Sequence, residues 1–277
     1  MNGKLNKEII WLLKEKYGAG NLSLISAIGG QARLPASGGN RRIICKIKKD
    51  IDRLKKGEPI DYIIGFADFL GCKIDLRFKP LIPRPETEFW TENAIKEIKK
   101  SVREKIRCLD IFAGSGCVGI AVLTHLPFAA VDFADKNERF LKQIKINAKL
   151  NKINPRRYKT IKSDIFSNIR GEYDYIFANP PYVAKTKIKR VQKSVLKWEP
   201  ASAVFGGKDG LFYVRKFLKE AKNHLAPGGK IFAEFDSWQK SGIAEILRKS
   251  GYIDFKFHKD QFGKWRYLTV DYRRTTE

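Results

Sequence analysis

Apolar residues along the chain follow two periods, and the alternation between them predicts an open α/β sheet. Short apolar or alternating runs mark strands near residues 107, 129, 158, 173, 230, 252 and 265. Helical spacing appears in Asn6 to Lys16, through Ile9, Ile10, Leu12 and Leu13, and in Ile43 to Lys56, through Ile44, Ile47, Ile51 and Leu54. It recurs over about Leu211 to Leu225 and Trp238 to Ser250. Pro227-Gly228-Gly229 is expected to turn the chain into the strand Lys230 to Phe235. The last two strand segments, Tyr252 to His258 and Trp265 to Tyr272, are joined by Lys259 to Lys264. That loop is too short for a parallel crossover helix, so the pair should be an antiparallel hairpin. Gly18 to Asn40 holds six glycines, and its apolar residues are confined mainly to Leu22 to Ile28. It reads as a loop or a shortened helical segment.

Chemistry enters at the ends of the predicted strands. Leu109-Asp110-Ile111-Phe112-Ala113-Gly114-Ser115-Gly116-Cys117-Val118 is an apolar strand, a small-residue turn and a helix start. This is the nucleotide-binding grammar of doubly wound sheets. Gly114 and Gly116 would let backbone approach a ligand closely, and the N–H groups near Ser115 to Val118 can hold a carboxylate such as that of a methionine moiety. Gly114, Gly116 and Gly119 also meet the dinucleotide G-x-G-x-x-G spacing, so a nicotinamide or flavin cofactor competes for this loop. The next strand, Ala129 to Asp135, ends on an acid at the spacing where a carboxylate accepts ribose hydroxyls. Asp135 is the expected anchor; Asp132 is the alternative, but it lies inside the strand. Tyr158 to Phe166 gives a third strand, with Asp164 and Ile165 placed for an adenine edge and face. Asp164 is equally readable as a helix or turn cap.

After the apolar run Tyr173 to Ala178 come Asn179-Pro180-Pro181-Tyr182. An Asn oxygen and a Pro carbonyl are acceptors, Pro has no competing N–H, and a Tyr ring offers a flat face. Together they suit one planar nitrogen group, an amide or an exocyclic amine. Such a nitrogen has a delocalised lone pair, so alkylating it requires acceptors aimed at its N–H groups as positive charge develops. A tight turn closing a strand is the competing reading of the same four residues.

Gly57-Glu58-Pro59, Tyr62-Ile63-Ile64-Gly65, Leu81 to Glu88, the glycine loop, Asn179-Pro180-Pro181-Tyr182, Glu199-Pro200, Gly206-Gly207 and Asp209-Gly210-Leu211 occur in unbroken order. Over about residues 55 to 277 the chain thereby resembles the release factor glutamine methyltransferases. Pro83-Arg84-Pro85-Glu86-Thr87-Glu88 is the most specific element, because Asn-Pro-Pro-Tyr is shared with adenine and guanine amino-methyltransferases. The resemblance implies a Rossmann-like, seven-stranded α/β fold with an antiparallel carboxyl-terminal hairpin, plus a small amino-terminal helical region. It also implies S-adenosyl-L-methionine as cofactor and the glutamine of the Gly-Gly-Gln motif of peptide chain release factors as substrate, methylated on its side-chain amide nitrogen. By position, Phe112, Ala113, Gly114, Ser115 and Gly116 match the methionine-binding loop, Asp135 the ribose acid and Ile165 an adenine-packing position. Asn179 matches the residue touching both cofactor and substrate, and Asn179, Pro180, Pro181 and Tyr182 the clamp on the glutamine amide. Phe112 and Ala113 replace smaller or polar residues of the family loop, and aliphatic Ile165 stands where aromatics are common. The implied organisation is a short, divergent helical region over 1–56, a connecting segment with a β-hairpin over 57–84 and a catalytic domain over 85–277.

Gly29-Gly30-Gln31 repeats the tripeptide that the family modifies. It is either a self-substrate or autoinhibitory segment, or a chance match in a glycine-rich loop, where Gly-Gly pairs are common. Composition changes the picture at one point. Lys and Arg number 55 against 30 Asp and Glu, a formal charge of +25. This fits either a nucleic-acid enzyme acting on a nucleobase amine or a lysine bias on solvated faces. Lys185, Lys187, Lys189, Arg190, Lys193 and Lys197, with no acid among residues 185–197, are expected to meet an acidic face of the release factor or nearby ribosomal RNA. A catalytically dead basic module is the non-enzymatic alternative, but it would have no reason to keep Asn179, Tyr182, Asp135 and the glycine loop together. Cys45, Cys72, Cys108 and Cys117 lack metal-ligand spacing, and His125, His224 and His258 are scattered, so no metal is expected. With 43% apolar residues, no stretch of membrane-span length and no signal-like start, a cytoplasmic α/β enzyme is the expectation.

Overall fold

The computed structural model describes residues 3–18, 38–101 and 104–272. They fall into two compact units, one within residues 1–66 and 193–198 and the other within 67–192 and 199–277.

The smaller unit is helical. Helix α1 (Gly3–Tyr17) and helix α2 (Gly38–Lys55) follow the predicted helical spacing, and a short helix α3 (Ile60–Ile64) follows. Leu12 and Leu13, then Ile47, Ile51 and Leu54, then Ile60 and Ile63 form its core. Buried Asp50 ties the helices together by accepting from Lys16 Nζ (2.6 Å), Tyr17 Oη (2.7 Å) and Arg53 Nη1 (2.9 Å). Burial raises the Asp50 carboxyl, but these donors outweigh it and hold the group below its usual range. The glycine-rich stretch expected as a loop, including Gly29-Gly30-Gln31, lies outside the described residues over 19–37.

Strands β1 (Phe66–Phe69) and β2 (Cys72–Asp75) form a two-stranded sheet. The turn residues Leu70 and Gly71 both have positive φ, the two-residue turn that suits strand twist. After helix α4 (Pro85–Lys99) the main sheet is built from β3 (Ile106–Ile111), β4 (Ala129–Asp135), β5 (Tyr158–Lys162), β6 (Tyr173–Ala178), β7 (Leu225–Glu234), β8 (Phe255–Lys259) and β9 (Trp265–Asp271). Their order is β5-β4-β3-β6-β7-β9-β8. The first five strands are parallel, while β9 is antiparallel to both β7 and β8, as the short connection requires. Helices α5 (Cys117–His125), α6 (Glu138–Leu150), α7 (Phe212–Ala221) and α8 (Lys240–Lys249) complete the α/β layers. The chain moves outward from β3 through β4 to β5, then returns to place β6 on the other side of β3. That reversal opens a crevice at the carboxyl ends of these strands.

The first strand of the carboxyl-terminal hairpin begins at Phe255 rather than Tyr252, and two further boundaries differ from expectation. Pro227-Gly228-Gly229 is not a turn before the strand: β7 already begins at Leu225, and a register shift between Tyr173 and Tyr175 absorbs the glycines as a bulge. A Cβ on Gly229 would meet the Ala226 and Tyr173 carbonyls at 2.8 and 3.0 Å, so the bulge needs glycine there. The third parallel strand stops at Lys162, leaving Ser163, Asp164 and Ile165 in the loop at its carboxyl end.

Candidate active site

A cleft of about 910 Å³, open to solvent at its mouth, lies at the carboxyl ends of β3, β4, β5 and β6. Phe112, Ala113, Gly114, Ser115, Asp135, Asp164, Ile165, Asn179 and Pro181 all line it. Gly116, Pro180 and Tyr182 do not. Asp132, the alternative acid, points elsewhere: it is buried against Arg107 Nη2 (2.8 Å) and Tyr173 Oη (2.9 Å).

The glycine loop is shaped by backbone that most residues avoid. Phe112, Gly114 and Gly116 have φ of 62°, 54° and 78°. For Phe112 that conformation is costly, on the order of 1–3 kcal/mol. The ring is held by edge contacts with Tyr213 and Phe217 at 6.0 and 6.2 Å. Gly114 N–H donates to Asp135 Oδ2 (2.9 Å) and Asn137 N–H to Asp135 Oδ1 (2.8 Å), so each carboxylate oxygen keeps a free lone pair at the cleft. Burial raises the Asp135 carboxyl, against the pull of those two N–H groups. Gly119 has a packing reason: its Cβ would lie 2.3 Å from the Phe133 ring, so helix α5 can sit on β4 only with glycine there. Gly119 N–H donates to Asp110 Oδ2 (2.9 Å), and burial pushes that carboxyl up to about 8, with Asp135 adding to the shift. Asp110 and Ser115 also face the cleft. The Ser115 carbonyl accepts from Asn147 Nδ2 (2.9 Å). Asn147 Oδ1 accepts from Asp75 N–H (2.8 Å), which locks the loop, α6 and the β1–β2 hairpin together.

On the opposite wall, the register Ala178 to Ala233 between β6 and β7 places the next residues, Asn179 and Glu234, side by side. Glu234 is buried and accepts from Thr87 Oγ1 (2.6 Å), Trp90 Nε1 (2.8 Å), Asn179 Nδ2 (3.1 Å) and Tyr182 Oη (2.9 Å). Burial holds the Glu234 carboxyl above its usual value, against the pull of Thr87, Trp90 and Tyr182. Tyr182 is raised well above its usual value, by burial first and then by the Glu234 charge, so it stays neutral and is no base. Glycines set the height of the loop that follows. A Cβ on Gly206 would lie 2.3 Å from the Pro181 carbonyl, and one on Gly210 2.3 Å from the Tyr182 carbonyl. Gln239 Nε2 then ties the Tyr182 and Gly210 carbonyls together at 3.0 Å each. Arg84, at the cleft, pairs with buried Glu199, whose other oxygen accepts from Ile82 N–H (3.2 Å). Among the described residues, Asn179 Oδ1 and the Pro180 carbonyl accept no hydrogen bond, and no His/Cys/Asp/Glu group could hold a metal ion.

A methyltransferase small domain model matches residues 91–202. The release factor glutamine methyltransferase of Bacteroides thetaiotaomicron is 36% identical over 230 residues, 82% of this chain and 80% of that protein. That of Flavobacterium psychrophilum is 34% identical over 225 residues, 80% and 78% of the two chains. The chain belongs to the release factor glutamine methyltransferases. Solved structures agree on the fold. A ribosomal protein L11 methylase from Lactobacillus delbrueckii subsp. bulgaricus superposes with TM-score 0.51 at 17% identity, covering 72% of this chain and 83% of its own. A T. thermophilus 16S rRNA N2 G1207 methyltransferase, in complex with AdoMet and guanosine, gives 0.52 at 18%, covering 76% and 50%.

Within that family frame, the Pro83 to Glu88 run now has a physical account. Arg84 pairs with Glu199, Thr87 donates to Glu234, and Glu88 accepts from Leu70 N–H (2.6 Å) to hold the hairpin turn. Glu234 and Trp90 went unread in the sequence. Glu234 carried a usable signal, an acid at the carboxyl end of an apolar strand, the same signal that marked Asp135.

Proposed function

We propose that the cleft holds S-adenosylmethionine and that Asn179-Pro180-Pro181-Tyr182 presents to it the side-chain amide of the glutamine in the Gly-Gly-Gln motif of peptide chain release factors. The chain is a methyltransferase by family, and S-adenosylmethionine is its cofactor. The residues present fit that cofactor. Asp135 keeps free lone pairs for two ribose hydroxyls, the Phe112 to Gly116 loop brings backbone to the cleft, and Ile165 offers an apolar face for adenine. Bound there, the cofactor supplies an electrophilic methyl group.

The chain's own residues do the rest. Asn179 Oδ1 and the Pro180 carbonyl accept from the amide N–H groups, fix the plane of the nitrogen and offset the positive charge it gains. The Tyr182 hydroxyl is engaged by Glu234, so its ring serves as a face for the amide rather than as a proton carrier. The proton lost from nitrogen passes to water. The observation that carries this reading is the side-by-side placement of Asn179 and Glu234, which leaves Asn179 as an acceptor at the cleft wall.

Lys185, Lys189 and Arg190 are exposed in the turn that begins three residues after Tyr182, while Lys187 Nζ lies 3.6 Å from the Trp238 ring centroid. This positive turn supports contact with an acidic face of the factor or with ribosomal RNA beside it. Four free cysteines, among them buried Cys72, Cys108 and Cys117, support a reducing, cytoplasmic setting. No helix among the described residues is long and apolar enough to cross a membrane.

The test is methyl-labelled S-adenosylmethionine offered with a release factor, with the same factor carrying Ala at the motif glutamine, or with ribosomal RNA. Label on the intact factor alone is expected. Label on RNA alone would move the clamp's target to a nucleobase amine.

A further inference from the structure

An asparagine amide is nearly symmetric in shape, and its surroundings alone decide which end is oxygen and which is NH₂. For a clamp that must accept hydrogen bonds from an amide, this choice decides function. Were Asn179 to turn its NH₂ outward, a donor would face the substrate's donors. Two contacts bear on the choice: Asn179 Nδ2 lies 3.1 Å from Glu234 Oε2 and 3.2 Å from Thr87 Oγ1. The Thr87 hydroxyl spends its one hydrogen on Glu234 Oε2, so it too can only accept from Asn179. Turning the amide over would set its oxygen against two acceptors in a site closed from water. The Tyr182 hydroxyl is held on the other Glu234 oxygen, so one carboxylate fixes both ends of the four-residue clamp.

We propose that Glu234 is the positioning residue of methyl transfer: from behind the clamp it locks the Asn179 amide with its oxygen toward the cleft and seats Tyr182. The proposal rests on the reading of Asn179 as the acceptor for the substrate amide. Glu234 does not line the cleft and touches neither cofactor nor substrate. It acts through the residues it holds, with Thr87 and Trp90 keeping the carboxylate in place. A glutamine at 234 can keep its oxygen at the Oε2 position, where three donors converge, and turn its NH₂ toward Tyr182, whose hydroxyl then accepts. A leucine can do neither.

Glu234→Leu should lower kcat on a release factor by roughly 30- to 100-fold, about what misplacing a positioned group costs, while S-adenosylmethionine affinity changes less than about threefold. Glu234→Gln should recover most of that loss. The double variant Asn179→Ala/Glu234→Leu should be slower than Asn179→Ala by a much smaller factor than Glu234→Leu costs alone, because only the seating of Tyr182 is then left to lose. A substrate-free readout accompanies this. The Asn179 side-chain amide, assigned in ¹H–¹⁵N spectra by its disappearance in Asn179→Ser, should show a proton shifted downfield by the carboxylate. The shift should diminish in Glu234→Gln and vanish in Glu234→Leu. Losses that multiply in the double variant, a Gln variant as slow as the Leu variant, or an amide signal indifferent to residue 234 would each overturn the proposal. Wild-type protein leaving the factor's glutamine unlabelled would instead refute the functional reading, and the amide signal would still decide the role of Glu234.

Discussion

Gly206→Ala is the sharpest test of how the clamp is built. Gly206 does not require the left-handed region, so alanine is acceptable to its backbone and the perturbation is one methyl group. That methyl would lie 2.3 Å from the Pro181 carbonyl oxygen and 2.5 Å from the Gly210 oxygen. Carbon–oxygen contacts settle at about 3.3–3.6 Å, so one of these backbones must move by roughly 1 Å. Gly210 is tied down by Gln239 and by the close packing of the Tyr182 carbonyl, and Gly206 N–H is itself bonded to the Val183 carbonyl (2.9 Å). The strain therefore falls on the Pro181 carbonyl, which accepts no hydrogen bond among the described residues, and through it on the clamp. A displacement of that size in a positioning group costs about 100-fold in rate, or roughly 2.7 kcal/mol. Pro181 lines the cleft, but the Phe112 to Ser115 loop and Asp135 are not displaced, so cofactor affinity should fall far less than the rate. The assay is steady-state kcat/KM on a release factor alongside calorimetric S-adenosylmethionine binding. A kcat/KM within threefold of wild type, or a parallel loss of cofactor affinity, would refute the argument.

Asp135→Ala should weaken S-adenosylmethionine binding by about 10- to 100-fold through the lost charge-assisted hydrogen bonds, read by calorimetry, and unchanged affinity would move the ribose contact to another group. Asp110 stays protonated in the folded protein up to about pH 8 but ionises in the unfolded chain near its ordinary 3.8. The folded state therefore holds the extra proton between those values, and stability falls as pH rises through that window. Asp110→Asn keeps an acceptor for Gly119 N–H and removes the ionisation. Its melting temperature without cofactor should exceed wild type by more at about pH 8 than at about pH 5, and a pH-independent difference would contradict the assignment. Replacing Lys185, Lys189 and Arg190 with Gln should lower kcat/KM on a whole release factor several-fold, more at low salt, and hardly change it on a short peptide. Equal losses on both substrates would show that the turn is no docking surface.

Much of the sheet was legible because its inner strands β3, β4 and β6 are largely buried and read as apolar runs, while the edge strands β5 and β8 are part-exposed. The carboxyl-terminal hairpin followed from loop length alone. What failed to show were features set by pairing across distance. Pro227-Gly228-Gly229 looks like a turn to any local reading, and only the register of β6 against β7 makes it a bulge. Buried Gln143 and Asn147 look like the polar side of a helix, yet their amides pair with the β1–β2 segment from 72 residues away in the case of Asn147. At the site, Phe112 to Ser115, Asp135, Asp164, Ile165, Asn179 and Pro181 were visible because each lies at or just past the carboxyl end of a strand. The residues that hold them were not: Glu234 meets Thr87 147 positions back along the chain, and Glu199 meets Arg84 across 115. Spacing rules do not reach that far.

The central claim is that Asn179 at the cleft wall directs a methyl group to the nitrogen of one glutamine. Its most direct test is fragment mass spectrometry of a release factor after incubation with S-adenosylmethionine and either wild-type protein or Asn179→Ala. Wild type should place one methyl group on the side-chain amide of the Gly-Gly-Gln glutamine. The variant should do so at a rate lower by about 2–4 kcal/mol of transition-state stabilisation, roughly 30- to 900-fold. A methyl group on any other residue, or an Asn179→Ala rate within tenfold of wild type, would contradict the account.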